Sequence, residues 1–229
     1  MRAKKVDLAR RKEIGWRTRM RTRGAMLDAA RRLIAQRGCD APTIDDFIKE
    51  AAVARGTFYN HFKDRVEVIE AVAQQEMSSL KTEIASVLKR VKDPAERIAA
   101  IVHFCVRKSH VDTVWAGMMV HMVATGPYLG NAMHEEFAAD LKTGLKAGRF
   151  EFESMTAALD LVKGSTLFGM RSMAKGLPEP DLAYHLTALV LRGLGIESAE
   201  ARKIARSQAV EVDAELNEPQ PLKKGRPKE

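Results

Sequence analysis

A chain of 229 residues with 45% hydrophobic and 30% charged side chains has room for one large or two small water-soluble domains. No run approaches the ~18 apolar residues of a membrane helix, so no membrane partner is expected. The basic N-terminus has neither the apolar core of a signal peptide nor the serine richness of a transit peptide, and two cysteines, Cys39 and Cys105, build no disulfide scaffold, so reduced thiols in a cytoplasm are expected. The net charge of +8 sits at the ends. Residues 1–23 hold Arg2, Lys4, Lys5, Arg10, Arg11, Lys12, Arg17, Arg19, Arg21 and Arg23 against Asp7 and Glu13, and "KKGRPKE" closes the chain with four bases and one acid. The intervening 24–222 carries −3. Basic ends on a mildly acidic body suit a polyanion, nucleic acid before membrane; solvated ends that aid solubility are the plainer alternative.

In chain order almost everything reads as helix, since alternating β-branched runs are absent and the punctuation falls between stretches of 3.6-residue period. The first helix is predicted over 22–37, with Met26, Ala30, Leu33 and Ile34 on one face and Gly38 as its stop. Thr43 and Asp46 then make a capping-box-like pair for a two-turn helix whose inward face is Ile44, Phe47, Ile48 and Ala51. A third short helix starts near Ala54, with Phe58 and Phe62 inward. Asp64 with Glu67 caps a long fourth helix that runs to about Val91. Further helices are predicted over 94–110, 112–125, 128–148, 154–175, 179–195 and 198–216, with "GRFEFES" as a linker, giving about ten in an all-α chain.

The second helix, a three-residue turn and the third helix together have the length of a helix-turn-helix. With Phe58 and Phe62 inward, Arg55, Gly56, Tyr59 and Asn60 form an outer strip, with Thr57 and His61 beside it. These types suit a duplex. Arg forks onto guanine and Asn onto adenine, Thr meets a thymine methyl or a phosphate, and Tyr and His donate to phosphate oxygens. Gly56 leaves room for a close approach. Lys63, Arg65 and the N-terminus of the fourth helix follow at once and are expected to attract phosphate.

The stretch "TIDDFIKEAAVARGTFYNHFKDRVEVIEAV" resembles the N-terminal domain of the TetR family of transcriptional regulators, with Ala51, Val53, Gly56, Thr57, Tyr59, His61, Phe62 and Lys63 in the family's slots. The resemblance covers about residues 22–72. It implies phosphate binding by Thr43, Tyr59, His61 and Lys63 or Arg65, and groove contacts by Arg55 and Thr57, with Asn60 as a base reader. Two departures stand out. Ala52 replaces the usual turn Gly, costing ~1 kcal/mol if left-handed, and Ala54 replaces the usual Ser, leaving the third helix without a side-chain cap. Residues 24–72 carry seven bases against eight acids, so the 1–23 arm is expected to supply much of the electrostatic affinity.

The expected domains are a basic flexible arm (1–21), a helix-turn-helix DNA-binding domain (22–70), a larger ligand-binding and dimerisation domain (71–216) and a basic flexible tail (217–229). In the tail, "KKGRPK" resembles an AT-hook core without its first Arg. The 154–175 helix carries one stripe of Met155, Leu159, Val162, Thr166, Gly169 and Met173, and a second through Leu161 and Phe168; a helix apolar on two sides needs two partners. With the helix after it, this resembles the family's dimer-forming pair, which implies an interface of Leu161, Ser165, Phe168, Leu186, Leu189 and Val190. The family also implies a small-molecule pocket in the larger half, where the soft side chains His103, Phe104, Trp115, Met118, Met119, His121, Met122, Phe137 and Phe168 are the candidates; simple core packing is the alternative. No histidine spacing points to a metal, and no cofactor is implied. No nucleophile elbow, phosphate-cradling glycine loop or HExxH motif points to an enzyme. The reading is therefore a cytoplasmic homodimeric repressor released from a palindromic operator by a small, largely apolar ligand. An architectural protein binding DNA through its tails is the second reading.

Overall fold

The computed structural model describes residues 2–125, 130–176, 179 and 181–217. Among these, all regular structure is helical: α1 (Arg2–Arg37), α2 (Ile44–Glu50), α3 (Arg55–Tyr59), α4 (Arg65–Arg90), α5 (Pro94–Val111), α6 (Thr113–Thr125), α7 (Gly130–Lys146), α8 (Met155–Ala174), α9 (Leu182–Gly193) and α10 (Ser198–Asn217). The expected start of the seventh helix at 128, the "KKGRPK" motif and all of the basic tail after Asn217 lie outside the described residues.

α1 differs most from its expected extent. α1 does not start near residue 22 after a flexible arm; it runs unbroken from Arg2. The arm is mostly Arg, Lys, Ala, Met, Leu and Glu, which lose little side-chain freedom in a helix. No proline interrupts it, and Arg17 pairs with Glu13 one turn away at 2.7 Å. The apolar periodicity that marks a helix to the eye begins only where the core begins. At the other end Gly38 stops α1 as expected, with φ +80° and its N–H on the Ile34 carbonyl at 2.9 Å.

The chain divides into two compact units, Met1–Ser78 with Gly117–Gly130, and Ser79–Ala116 with Asn131–Glu229. The boundary expected near 70 and the division after Ser78 both lie inside α4, and the first unit also takes in the returning segment Gly117–Gly130. The second half of α6 rests on α1, where a Cβ on Gly117 would lie 3.1 Å from the Ala35 carbonyl and the His121 ring sits against Gly38. Such a contact between distant stretches leaves no trace in local periodicity.

In the first unit, Met26, Ala30, Leu33 and Ile34 of α1, Phe47 of α2, Phe58 of α3, Phe62 after it, and Val68, Ile69 and Val72 of α4 are all buried. In the second unit α5 is the central helix, buried over most of its length and packed against α8, α9 and α10. Val162, Thr166, Gly169 and Met173 of α8 face inward. Gly169 allows this closeness, since a Cβ there would lie 2.5 Å from Leu186 Cδ2 and 2.9 Å from Val106 Cγ2. The linker before α8 is fastened by Arg149, which donates to Asp93 and Glu200, both at 2.8 Å.

Candidate nucleic-acid interface

The helix-turn-helix starts on a full capping box. Thr43 Oγ1 accepts from the Asp46 N–H at 3.2 Å, and the Asp46 carboxylate accepts from the Thr43 N–H at 2.8 Å and from its hydroxyl at 2.7 Å. The Thr43 backbone N–H, then its hydroxyl, hold the Asp46 carboxyl below its ordinary range. Thr43 itself stays exposed. In the turn Ala52 is left-handed, with φ +51°, so the departure from glycine carries a backbone cost. Ala54 caps α3 with backbone geometry only and no side-chain hydrogen bond.

The rotation of α3 is set by two rings. Phe58 and Phe62 are each 1% exposed, with centroids 5.9 Å apart. That leaves Arg55, Gly56, Tyr59 and Asn60 exposed in one strip, with Thr57 and His61 half-buried at its edge. Tyr59 stands edge-on to Phe58, so its ring is braced while its outer side remains in solvent. A Cβ on Gly56 would meet nothing within 4 Å, so no neighbour within the chain requires glycine there; the position is open for the approach of something else. Burial, then the charges of Arg19 and Arg23, lower the His61 pKa, leaving a neutral imidazole that still carries one N–H donor.

Several details differ from expectation. Arg65 is engaged inside the unit: its Nη1 donates to the Cys39 and Asp40 carbonyls at 2.7 and 2.9 Å. It clamps the α1–α2 turn to the start of α4 instead of pointing to a partner. The N-terminus of α4 is closed by its own carboxylates. Asp64 accepts from the Glu67 N–H at 2.9 Å, and Glu67 accepts from the Lys63 N–H at 2.7 Å. The Lys63 side chain, by contrast, is exposed. Arg55 is paired with the Asp45 carboxylate of α2, both side chains largely in solvent.

The residues proposed for a ligand belong to both units. His103, Phe104, Trp115 and Phe137 are buried in the second unit, whereas Met118, Met119 and Met122 are buried in the first. His121 packs on the C-terminal end of α1. Phe168 is 62% exposed and lines no interior. It borders an open groove of about 430 Å³ between α8 and α9, with Gly164, Ser165, Gly169, Ser172, Leu182 and Leu186. This groove brings together Ser165, Phe168 and Leu186 of the expected interface, and Leu161 and Leu189 are exposed apolar residues of the same two helices. Val190 is different: at 1% exposure it is buried within the protomer and presents nothing to a partner.

The family model described as bacterial regulatory proteins, tetR family, matches residues 26–72, and that described as tetracyclin repressor-like, C-terminal domain, matches residues 93–207. The chain belongs to the TetR family. It is a DNA-binding transcriptional regulator of that family, in which the matched N-terminal segment is the helix-turn-helix described above. The solved structure of RolR in complex with resorcinol is 32% identical, with 90% of this chain and 97% of that one covered at a TM-score of 0.61. Among curated proteins, the transcriptional regulator BetI of Brucella canis is 30% identical over 103 residues, 43% of this chain and 52% of BetI. The transcriptional activator FasR of Mycolicibacterium smegmatis is 30% identical over 80 residues, 35% of this chain and 36% of FasR. The chain thus spans about a third to a half of the length of these curated relatives. FadR from Bacillus subtilis in complex with stearoyl-CoA is 19% identical at a TM-score of 0.61, a likeness of fold. Among the described residues no helix is long and apolar enough to cross a membrane.

Three residues outside the family's slots, Asp45 of α2 and Arg19 and Arg23 of α1, also contact α3 or the residues just after it. Asp45 reads as an ordinary first-turn acid, and only the turn between α2 and α3 brings it to Arg55. The two arginines left a signal: counting back from Met26 by three and by seven gives Arg23 and Arg19, on the face that carries the core.

Proposed function

We infer that this regulator is a homodimeric repressor that holds a palindromic operator in the bacterial cytoplasm and releases it when a small, largely apolar ligand binds. The observation that carries this reading is the division of α3 into a buried Phe58–Phe62 side and an exposed Arg55, Gly56, Tyr59 and Asn60 strip. That strip offers a bidentate donor for guanine, a bidentate partner for adenine and a phosphate donor at the places a groove would meet them. The exposed Leu161, Phe168 and Leu189 of α8 and α9 support a two-fold contact, because a self-complementary apolar face is what a symmetric dimer buries. The likeness to RolR, whose structure holds resorcinol, supports an effector of the size of a small aromatic diol. Such a ligand favours release only through its higher affinity for the conformation that spaces the two recognition helices wrongly.

The test is selection of random and genomic duplexes by the purified chain near physiological salt, where non-specific binding is weak. The expected result is a palindrome with half-sites about 34 Å apart, whose complex is dissociated by one member of a panel of small phenols. Enrichment of A·T-rich duplex alone would replace this reading with the architectural one.

A further inference from the structure

We propose that residues 10–23 of α1 form a helical docking element that lies on duplex phosphates flanking each operator half-site. This rests on the operator-binding reading above.

The face of α1 that carries Met26, Ala30, Leu33 and Ile34 is buried. Followed toward the N-terminus, the same face continues through Arg23, Arg19 and Trp16, three, seven and ten residues before Met26. The inward side of the helix therefore changes from apolar to cationic where the core ends. The first two arginines settle on the end of α3. Arg23 donates to the His61 carbonyl at 3.2 Å with its guanidinium 4.3 Å from the Phe62 ring centre. Arg19 donates to the Asn60 carbonyl at 3.0 Å. Cations on the last carbonyls of a helix are favourable, and here they fix the course of α1 beside Asn60, His61 and Phe62. The next turn of that face, Trp16, has nothing comparable beneath it and is 61% exposed.

Charge selects the occupant. Residues 10–23 hold Arg10, Arg11, Lys12, Arg17, Arg19, Arg21 and Arg23 against Glu13 alone, whereas residues 24–72 carry seven bases and eight acids. A duplex drawn to this unit is drawn by the arm. A membrane surface fits less well. An interfacial helix gathers its apolar residues on one face, but the exposed Ile14 lies on the opposite side from Trp16 and Met20. Fourteen residues of helix span about 21 Å, enough to follow several phosphates beyond the half-site. The exposed Trp16 indole offers a flat ring and one N–H donor at that backbone.

The experiment compares full-length chain with the R10Q/R17Q/R21Q and W16A variants on the selected operator. One duplex ends at the palindrome and the other extends 10 base pairs beyond each end. Wild-type chain is expected to bind the longer duplex at least tenfold more tightly, and the triple variant to abolish that difference. The salt slope of the triple variant should be shallower by about 0.9 for each phosphate it no longer neutralises, up to ~5 for a dimer. Trp16→Ala should remove most of the fluorescence change on binding, because the other tryptophan, Trp115, is buried. Circular dichroism checks that the exposed substitutions leave the helices intact. Equal affinity for both duplexes and unchanged slopes, with operator choice intact, would overturn the docking element and leave the proposed function standing. A chain that selects no operator fails the proposed function first. The arm is then judged on any duplex, where the triple variant must still flatten the slope.

Discussion

Acidification gives a measurable handle on the second unit through His103. Its ring is 2% exposed on α5, and neither ring nitrogen has a partner in hydrogen-bond geometry. Burial is the main cause that pushes its pKa from 6.5 down to about 4. The Asp213 carboxylate, 3.9 Å from Nε2, opposes it, while Arg107 acts in the same direction as burial. The unfolded chain takes up a proton near 6.5, but the folded chain refuses it until about 4. Between those values the unfolded state holds more protons, so stability rises with pH. The contribution is complete above pH 6.5 and is lost as pH falls toward 4. At pH 5 the loss is about 2 kcal/mol relative to pH 7.5, and it approaches ~3 kcal/mol below pH 4. Urea unfolding at pH 7.5 and 5.0, at one fixed protomer concentration because association shifts the midpoint, measures it. His103→Leu should remove about 2 kcal/mol of the pH dependence and leave stability at pH 7.5 within ~1 kcal/mol, since the ring makes no hydrogen bond to lose. Glu96 and Asp140, whose pKa values burial raises, contribute equally to both proteins and cancel in the comparison. Identical pH profiles for wild type and variant would refute the assignment.

Other parts of the molecule give further measurable outcomes. Ala52→Gly relieves a left-handed alanine and should raise stability by about 0.5–1 kcal/mol once the greater chain entropy of glycine is subtracted, read by the same urea titration. Phe168→Glu, in the exposed groove of α8 and α9, should weaken dimerisation at least about a hundredfold, from the loss of roughly 1.5–3 kcal/mol per buried ring. Light scattering across a dilution series checks this, with Val190 serving as a buried comparison site. Arg55→Ala should relax discrimination at one base pair by about 1–3 kcal/mol, whereas Tyr59→Phe should lower affinity for all sequences alike. Asp45→Ala should raise non-specific binding while blurring the base that Arg55 reads, and competition binding on operator and single-base variants separates the three.

Where side-chain chemistry and backbone chemistry agree locally, the sequence was legible. Thr43 with Asp46, Gly38 as a stop, and the Phe58–Phe62 pair all act within one or two turns, and the structure forms each of them. Two kinds of feature were not legible. The extension of α1 to Arg2 has no apolar stripe in the sequence to announce it. The ligand set was chosen by softness and size, properties that core methionines share, so the sequence does not separate pocket from core, and of that set the structure exposes Phe168. Val190 and Leu189 are neighbours of similar character; only the turn of α9 sends one into the protomer and the other into solvent.

The charge pattern of the first unit bears on how such a regulator discriminates. Every arginine between 24 and 72 faces a carboxylate: Arg31 faces Glu76 at 3.4 Å, Arg32 Glu50 at 2.9 Å, Arg37 Asp46 at 3.3 Å, Arg65 Asp40 at 3.9 Å, and Arg55 Asp45. Exposed pairs of this kind are worth only about 0–1 kcal/mol, so Arg55 can leave Asp45 for a guanine edge, where a bidentate contact is worth about 1–3 kcal/mol. A single hydrated phosphate offers less reason to leave. On the proposed function, the α3 strip is thus biased against indiscriminate backbone binding, and attraction to DNA as such falls to the proposed docking element ahead of it. Salt sensitivity should then follow substitutions in residues 10–23, and base sensitivity should follow those in 55–60. A chain in which the two could not be separated by mutation would have its attraction and its selectivity in the same residues, contrary to the pairing of Arg55 with Asp45.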